Sequence, residues 1–236
     1  MKKYFTKVLL LLLAVPTVSY GEVRISTLNS HMPRIQVSEK VMGRIYKQLQ
    51  IPWRLLRIPT DDALHGANSG VVDGELVRIK GVENTLNRLQ RIPYPIGTAR
   101  VVAYTLKEAE AIQGLADLAG KRLALIRGVA LTDKLAQGLE KRYADTIEGG
   151  FRMLDNRQAD VVVTFQLDIE RFLESEDKVG NYVSSKPLVQ ADLFHYIHKR
   201  NGELIERLSR HMKRLKQSGE LQQMIDQAED EVIYPK

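Results

Sequence analysis

The sequence predicts an α/β protein with largely parallel sheets, arranged as two groups of elements with a cleft between them. Three observations carry this. Short strand-like runs such as WRLLRI (Trp53–Ile58) and DVVVT (Asp160–Thr164) alternate with stretches whose apolar residues recur every three or four positions. Pro- and Gly-rich joints fall near 93–99 and 180–192 and divide the alternation in two. The piece after the second joint, one strand and two helices, needs a partner sheet, and the first group offers one. The chain then crosses between the groups twice.

Taken in order, Glu22–Thr27 reads as a strand, and Val41, Ile45, Tyr46 and Leu49 give an amphipathic helix with Ser38 as its N-cap. Pro52 ends that helix before the strand Trp53–Ile58. Asp61–Ser69 reads as a short helix closed by Gly70, with Asp61 and Asp62 at its start. Val71–Ile79 holds a third strand, and Val82–Arg91 reads as helical up to the Pro93-Tyr94-Pro95 break. In the second group Arg100–Thr105 is a strand, Leu106–Gln113 a helix, and Arg122–Ile126 a strand. Helices follow over Leu131–Tyr143 and Gly149–Arg157, then the strand Asp160–Thr164 and a helix over Leu167–Ser175. Asp192–Ile197 is the last strand. Two helices close the chain, the first with Leu204, Leu208, Met212 and Leu215 on one face, the second starting after Gly219.

The first 21 residues set the compartment. Lys2, Lys3 and Lys7 precede the apolar run Val8–Val15, Pro16 breaks it, and Ser19-Tyr20-Gly21 places small residues where a signal peptidase reads. The run is too short to span a bilayer, which takes about 20 apolar residues. We therefore expect a signal peptide over 1–21, cleavage before Glu22, and a periplasmic product that is not membrane-inserted. The absence of cysteine excludes a lipid anchor on the mature N-terminus, disulfides, thiol catalysis and zinc–thiolate sites. The formal net charge of +6 falls to +3 once Lys2, Lys3 and Lys7 leave. The remaining basic residues alternate with acids, as in ERLSRHMKRLKQSGE, the pattern of a solvated helix face, so nucleic acid is not an expected partner.

Six local motifs stand in order along the mature chain: RISTLNSHMP, GRIYKQLQIPWRLLRIP, ANSGVVDGELVRI, DLAGKRLALIRG, NRQADVVVTF and the ending IHKRNGELIERLSRHMKRLKQSGELQQM. Together they resemble the extracellular solute-binding proteins, family 3, that serve polar amino acid ABC importers. The resemblance implies a two-lobed periplasmic-binding-protein-like fold of type II that closes on a small ligand. The first lobe is then built from 22–100 plus 194–236 and the second from 101–193. It implies a monomer, no cofactor, a small-molecule ligand, and either an inner-membrane ABC permease or a membrane sensor as partner.

Ligands of open α/β sheets sit outside the carboxyl ends of strands, where helix N-termini offer N–H groups to anions. Arg127-Gly128-Val129-Ala130 is such a strand-to-helix turn, in which Gly128 allows close approach and Arg127 offers a bidentate fork. The plain alternative is a tight turn with a solvated charge. Arg78 alternates with Val77 and Ile79 after GELV, and the resemblance places it before the segment that clamps the ligand; a surface ion pair is its alternative. Arg88 lies on the stretch that resembles the family's carboxylate-binding helix, although the Thr-x-x-Arg pattern is missing. His31 stands at the first lobe's aromatic position, flanked by Asn29 and Ser30. Thr164 and Phe165 occupy the place where amino-acid binders present an aspartate for the ligand's ammonium. Without that carboxylate the expected ligand is a small polar or anionic metabolite rather than an ordinary amino acid.

Signatures of catalysis are sparse: the chain has no Gly-x-Ser-x-Gly elbow, Walker loop or His-Glu-x-x-His. His195 and His198, three apart in a strand, point to opposite faces and do not share a metal. The expectation is a non-enzyme without a metal site. A periplasmic dehydratase-like enzyme on the same fold, using His31 or Glu75 as general acid, is the alternative.

Overall fold

The computed structural model describes residues 21–29, 32–127 and 129–235. The expected signal peptide up to Tyr20, together with His31 and Gly128, lies outside the described residues. No described helix is long and apolar enough to cross a membrane.

One curved sheet runs through the molecule. In the first half, β1 (Val23–Leu28) pairs in parallel with β2 (Trp53–Ile58) and with β3 (Gly74–Ile79), covered by α1 (Pro33–Gln48) on one side and α2 (Thr60–Ser69) on the other. In the second half, β6 (Leu123–Ile126) lies parallel to both β7 (Lys141–Ala144) and β8 (Val161–Phe165), with α4 (Ile147–Asp155) packed on them and α3 (Ala130–Leu135) following β6. Two ten-residue strands join the halves: β5 (Gly97–Leu106) and β10 (Val189–His198). They pair with each other through Val101–Val189 to Gly97–Leu193. Beyond that stretch β10 runs on against β3 and the short β4 (Leu89–Arg91), while β5 runs on against β8 and β9 (Tyr182–Ser184). Each outer set of strands is parallel, as expected. The two crossing strands are antiparallel to every partner, which corrects the expectation of a largely parallel sheet. Strand direction across a long return is set by where the chain re-enters the sheet, and hydrophobic pattern does not encode it.

Three expected helices change. Val82–Arg91 is a single 3-10 turn (Val82–Asn84) followed by β4, because buried Leu89 is needed opposite His198 in the sheet. Leu106–Gln113 is the end of β5 and an irregular segment; its KEAEA stretch has helical propensity but is exposed throughout, and only the following Ile112 is buried. Leu131–Tyr143 divides into α3, which ends at Leu135, and the edge strand β7, with Gly138 at φ 81° in the turn between them. The start of α1 also moves. Pro33 holds its first turn and Ser38 lies inside it, buried, its hydroxyl donating to the Arg34 carbonyl. This earlier start puts Arg34 at the very tip of α1.

A helix over Gln166–Ser175, α5, leaves β8 and packs against both α1 and the C-terminal helix α7 (Glu220–Ile233). Its neighbour α6 (Gly202–Ser218) buries Leu204, Leu208, Met212 and Leu215, as the sequence spacing predicts, and Ile205 beside them. Each such side chain contributes about 1.5–3 kcal/mol. Gly219, at φ 83°, lets the chain reverse between α6 and α7.

Candidate functional site

The carboxyl ends of β1 and β3 and that of β8 meet across the gap between the two halves, and the polar residues converge there. A bulge in β3 starts the arrangement. Between Glu75 and Arg78, β3 advances three residues while β10 advances two, from Tyr196 to Phe194. The extra residue interrupts alternation and lets Glu75 and Arg78 meet, with Arg78 Nη2 2.9 Å from Glu75 Oε1. The Ser26 hydroxyl donates to Glu75 Oε2 at 2.6 Å.

Glu75 is fully buried, and burial pushes its pKa up to about 7, against the opposing pull of Arg78 and the Ser26 hydroxyl. Its contacts are incomplete. Glu75 Oε1 is at ion-pair distance from Arg78 but lacks a well-directed hydrogen bond, and Arg78 Nε and the Thr27 hydroxyl are buried with no partner. Orphan buried polar atoms cost about 1–3 kcal/mol each, so the adjacent pair on Glu75 and Arg78 needs a reason.

From the second half, Phe165 ends β8 and caps α5, and Asp168 follows in the first turn. Arg34 reaches across from α1. Its guanidinium lies 4.1 Å over the Phe165 ring, with Nη1 3.2 Å from Asp168 Oδ2. Burial raises the Asp168 pKa, while Arg34 opposes the rise. Burial lowers the Arg34 pKa, Asp168 counters it, and the charge of Arg78 is near enough to add to the depression. Two guanidinium groups thus face one half-neutralised glutamate and one aspartate.

Of the sequence-predicted residues, the structure brings Arg78 and Phe165 to this convergence. Asn29 is exposed just past β1, its N–H donating to the Ile58 carbonyl at 2.9 Å. Thr164 is buried and alternates with Phe165, so it faces the core beneath α4 and α5. Arg127 is exposed after β6, with Nε 2.8 Å from Asp145 Oδ1 and its guanidinium 5.4 Å from the Tyr143 ring centre. Arg88 is not on a helix. It precedes β4 near the amino end of β3, where its N–H donates to Asn68 and its carbonyl accepts from Lys199, so it lies away from the carboxyl ends. Arg34 and Asp168 are the residues that sequence reasoning missed. An arginine directly after a helix-starting proline, at the wrong end of the helix dipole, was the available signal.

His195 has a structural part. It is fully buried, Nδ1 3.0 Å from the Leu76 carbonyl and Nε2 3.0 Å from the Tyr46 hydroxyl, and burial lowers its pKa to about 4. The ring is neutral, with Nδ1–H donating and Nε2 accepting. Among the described residues no three His, Asp or Glu side chains are grouped to hold a metal. A hollow of about 70 Å³ beside Arg34 is lined by Thr98, Arg100, Phe165, Glu170 and Glu229, room for waters only. The larger hollow of about 360 Å³, lined by Val23, Asp73, Arg200 and Leu204, lies at the amino ends of the strands, remote from this cluster.

Comparison with solved structures decides the architecture. The GluR0 ligand-binding core in complex with L-glutamate superposes with a TM-score of 0.71 over 89% of this chain and 98% of that one, at 12% identity. The chain has the two-lobed periplasmic-binding-protein fold. A histidine kinase sensor domain with similarity to periplasmic binding proteins gives 0.67 over 89% and 96%, at 16% identity. Substrate-binding proteins of amino acid ABC transporters are also among the structural neighbours, in keeping with the resemblance read from the sequence. These neighbours are binding proteins and sensor domains rather than enzymes. No family model matches the chain. In sequence, 136 residues, 56% of the chain, are 31% identical to a "Putative sensor protein" of Shewanella frigidimarina (strain NCIMB 400). The match spans about a fifth of that relative's length.

Proposed function

We propose that this chain is a periplasmic ligand-binding module, exported by its N-terminal segment, that captures a small polar or anionic metabolite by closing two lobes about β5 and β10. The lobes correspond to 22–100 with 194–236 and to 101–193. The observation that carries the reading is the buried, half-satisfied pair Glu75 and Arg78 on β3, with Arg78 close to Arg34, which reaches Phe165 and Asp168 of the second half. Arg78 is the anion anchor, a partly buried guanidinium with an unused Nε–H. Asn29, exposed after β1, and Arg127, exposed after β6, are assigned to the rim of the cleft. Ligand bridging the lobes favours the closed state by its differential affinity for it.

Transport by an ABC importer and signalling by a membrane sensor both use such a module. The sensor reading is favoured by the 31% identity to a protein of that description. Binding is favoured over dehydratase-like turnover because Glu75, the described candidate for a general acid, is fully buried. Native mass spectrometry of the gently purified protein, followed by a thermal-shift panel of small carboxylates and oxyanions, tests the reading. A ligand that stabilises the wild type, with Arg78→Ala abolishing the response while remaining folded, supports it. Full response in Arg78→Ala removes the site.

A further inference from the structure

Arg34 stands where helix physics does not want it. It follows Pro33 in the first turn of α1, and a cation at a helix N-terminus meets the positive end of the dipole at a cost of a few tenths of a kcal/mol or more. Its side chain is only 20% exposed, and that of Asp168 only 10%. The compensation comes from the other half of the molecule. Phe165 offers a ring face at 4.1 Å and Asp168 Oδ2 a charged acceptor at 3.2 Å. Met32 adds its sulfur to Nη2 at 2.7 Å.

An aromatic face beside a buried carboxylate is the chemistry by which proteins capture a guanidinium or alkylammonium group from solution. Asp168 Oδ1 has no partner and is buried, so the subsite is built for more donors than Arg34 supplies. A second polar bridge, Arg171 Nη1 to Gln36 Oε1 at 2.7 Å, also joins α5 to α1.

We propose that Arg34 is a built-in ligand: its guanidinium fills a cation subsite formed by Phe165 and Asp168, holds the two halves together without any free molecule, and excludes ligands that carry a cationic head group from that subsite. A hollow of about 70 Å³ lies beside it. Arg34 is thereby the residue that decides ligand class, leaving Arg78 to select an anionic or neutral polar group. This goes beyond the binding function proposed above, since the latch needs no soluble ligand, and its test uses none of the anions that test that function.

The experiment is chemical rescue on the purified protein. Arg34→Ala should open the halves, seen as a larger radius of gyration by small-angle scattering, and should lower Tm. Millimolar methylguanidinium should restore both saturably, and the wild type should not respond. In Arg34→Ala/Asp168→Asn the rescue should weaken by at least about tenfold, because the carboxylate that captures the cation is gone. Arg34→Met, which keeps packing volume but removes the charge, carries the radius-of-gyration and Tm readouts, without the rescue, if the alanine variant folds poorly. An unchanged radius of gyration in the Arg34 variant, a rescue indifferent to Asp168, or a wild type that binds methylguanidinium equally well would each overturn the proposal.

Discussion

Two buried polar groups a few residues apart in the same sheet behave in opposite ways. His195 on β10 has both ring nitrogens engaged, by the Leu76 carbonyl and the Tyr46 hydroxyl, and Tyr46 is itself stacked on Trp53 with ring centres 5.1 Å apart. Glu75 on β3 keeps an oxygen without a well-directed donor, beside an arginine with an unused N–H. Both are completely enclosed. A buried group with every valence satisfied holds the fold together; one left short of partners is poised for something else.

Substitutions sharpen this contrast, and the largest effect belongs to the satisfied pair. Tyr46→Ala removes a fully buried aromatic and strands His195, so chemical denaturation should show a loss of about 3–5 kcal/mol, independent of any ligand. Next is Glu75. Its folded pKa of about 7 lies above the ordinary value of 4.5, so the native state holds its proton more tightly than the unfolded chain does. Stability from this group is complete below pH 4.5 and falls as pH rises towards 7, by at most about 3 kcal/mol. Glu75→Gln should remove that slope when denaturation curves of wild type and variant are compared at pH 4.5 and 7.5; parallel curves would mean that Glu75 titrates normally.

Tyr46→Phe deletes only the hydroxyl, leaves His195 Nε2 unpaired, and should cost about 1–3 kcal/mol in the same assay. The smallest expected effect is at Arg127, whose pair with Asp145 is exposed: Arg127→Ala should leave Tm unchanged. Loss of ligand response in that variant would extend the site to the turn after β6, whereas a normal response confines it to Arg78 and its neighbours.

The sequence carried the elements whose hydrophobic period serves burial directly. Trp53–Ile58 is the strand expected, and α6 buries the four residues spaced for it. It misled wherever a local preference was outweighed by a distant partner, as at Leu89, which reads as helical but is taken into the sheet by His198. At the candidate site, Arg78 was legible from its alternation with Val77 and Ile79 after GELV, and Phe165 from the place it takes in the resemblance. Arg34 and Asp168 were not. They stand 134 positions apart, each looks like an ordinary helix-surface charge, and only the closure of two half-sheets makes them neighbours.

The passage of β5 and β10 side by side between the halves has a mechanical meaning. Two hydrogen-bonded ribbons resist shear and torsion together and yield easily only to flexing about one line across both. Any opening of this molecule is therefore steered along a single swing, like a door on its jamb, and a small group wedged far from that axis gains the leverage of the whole panel.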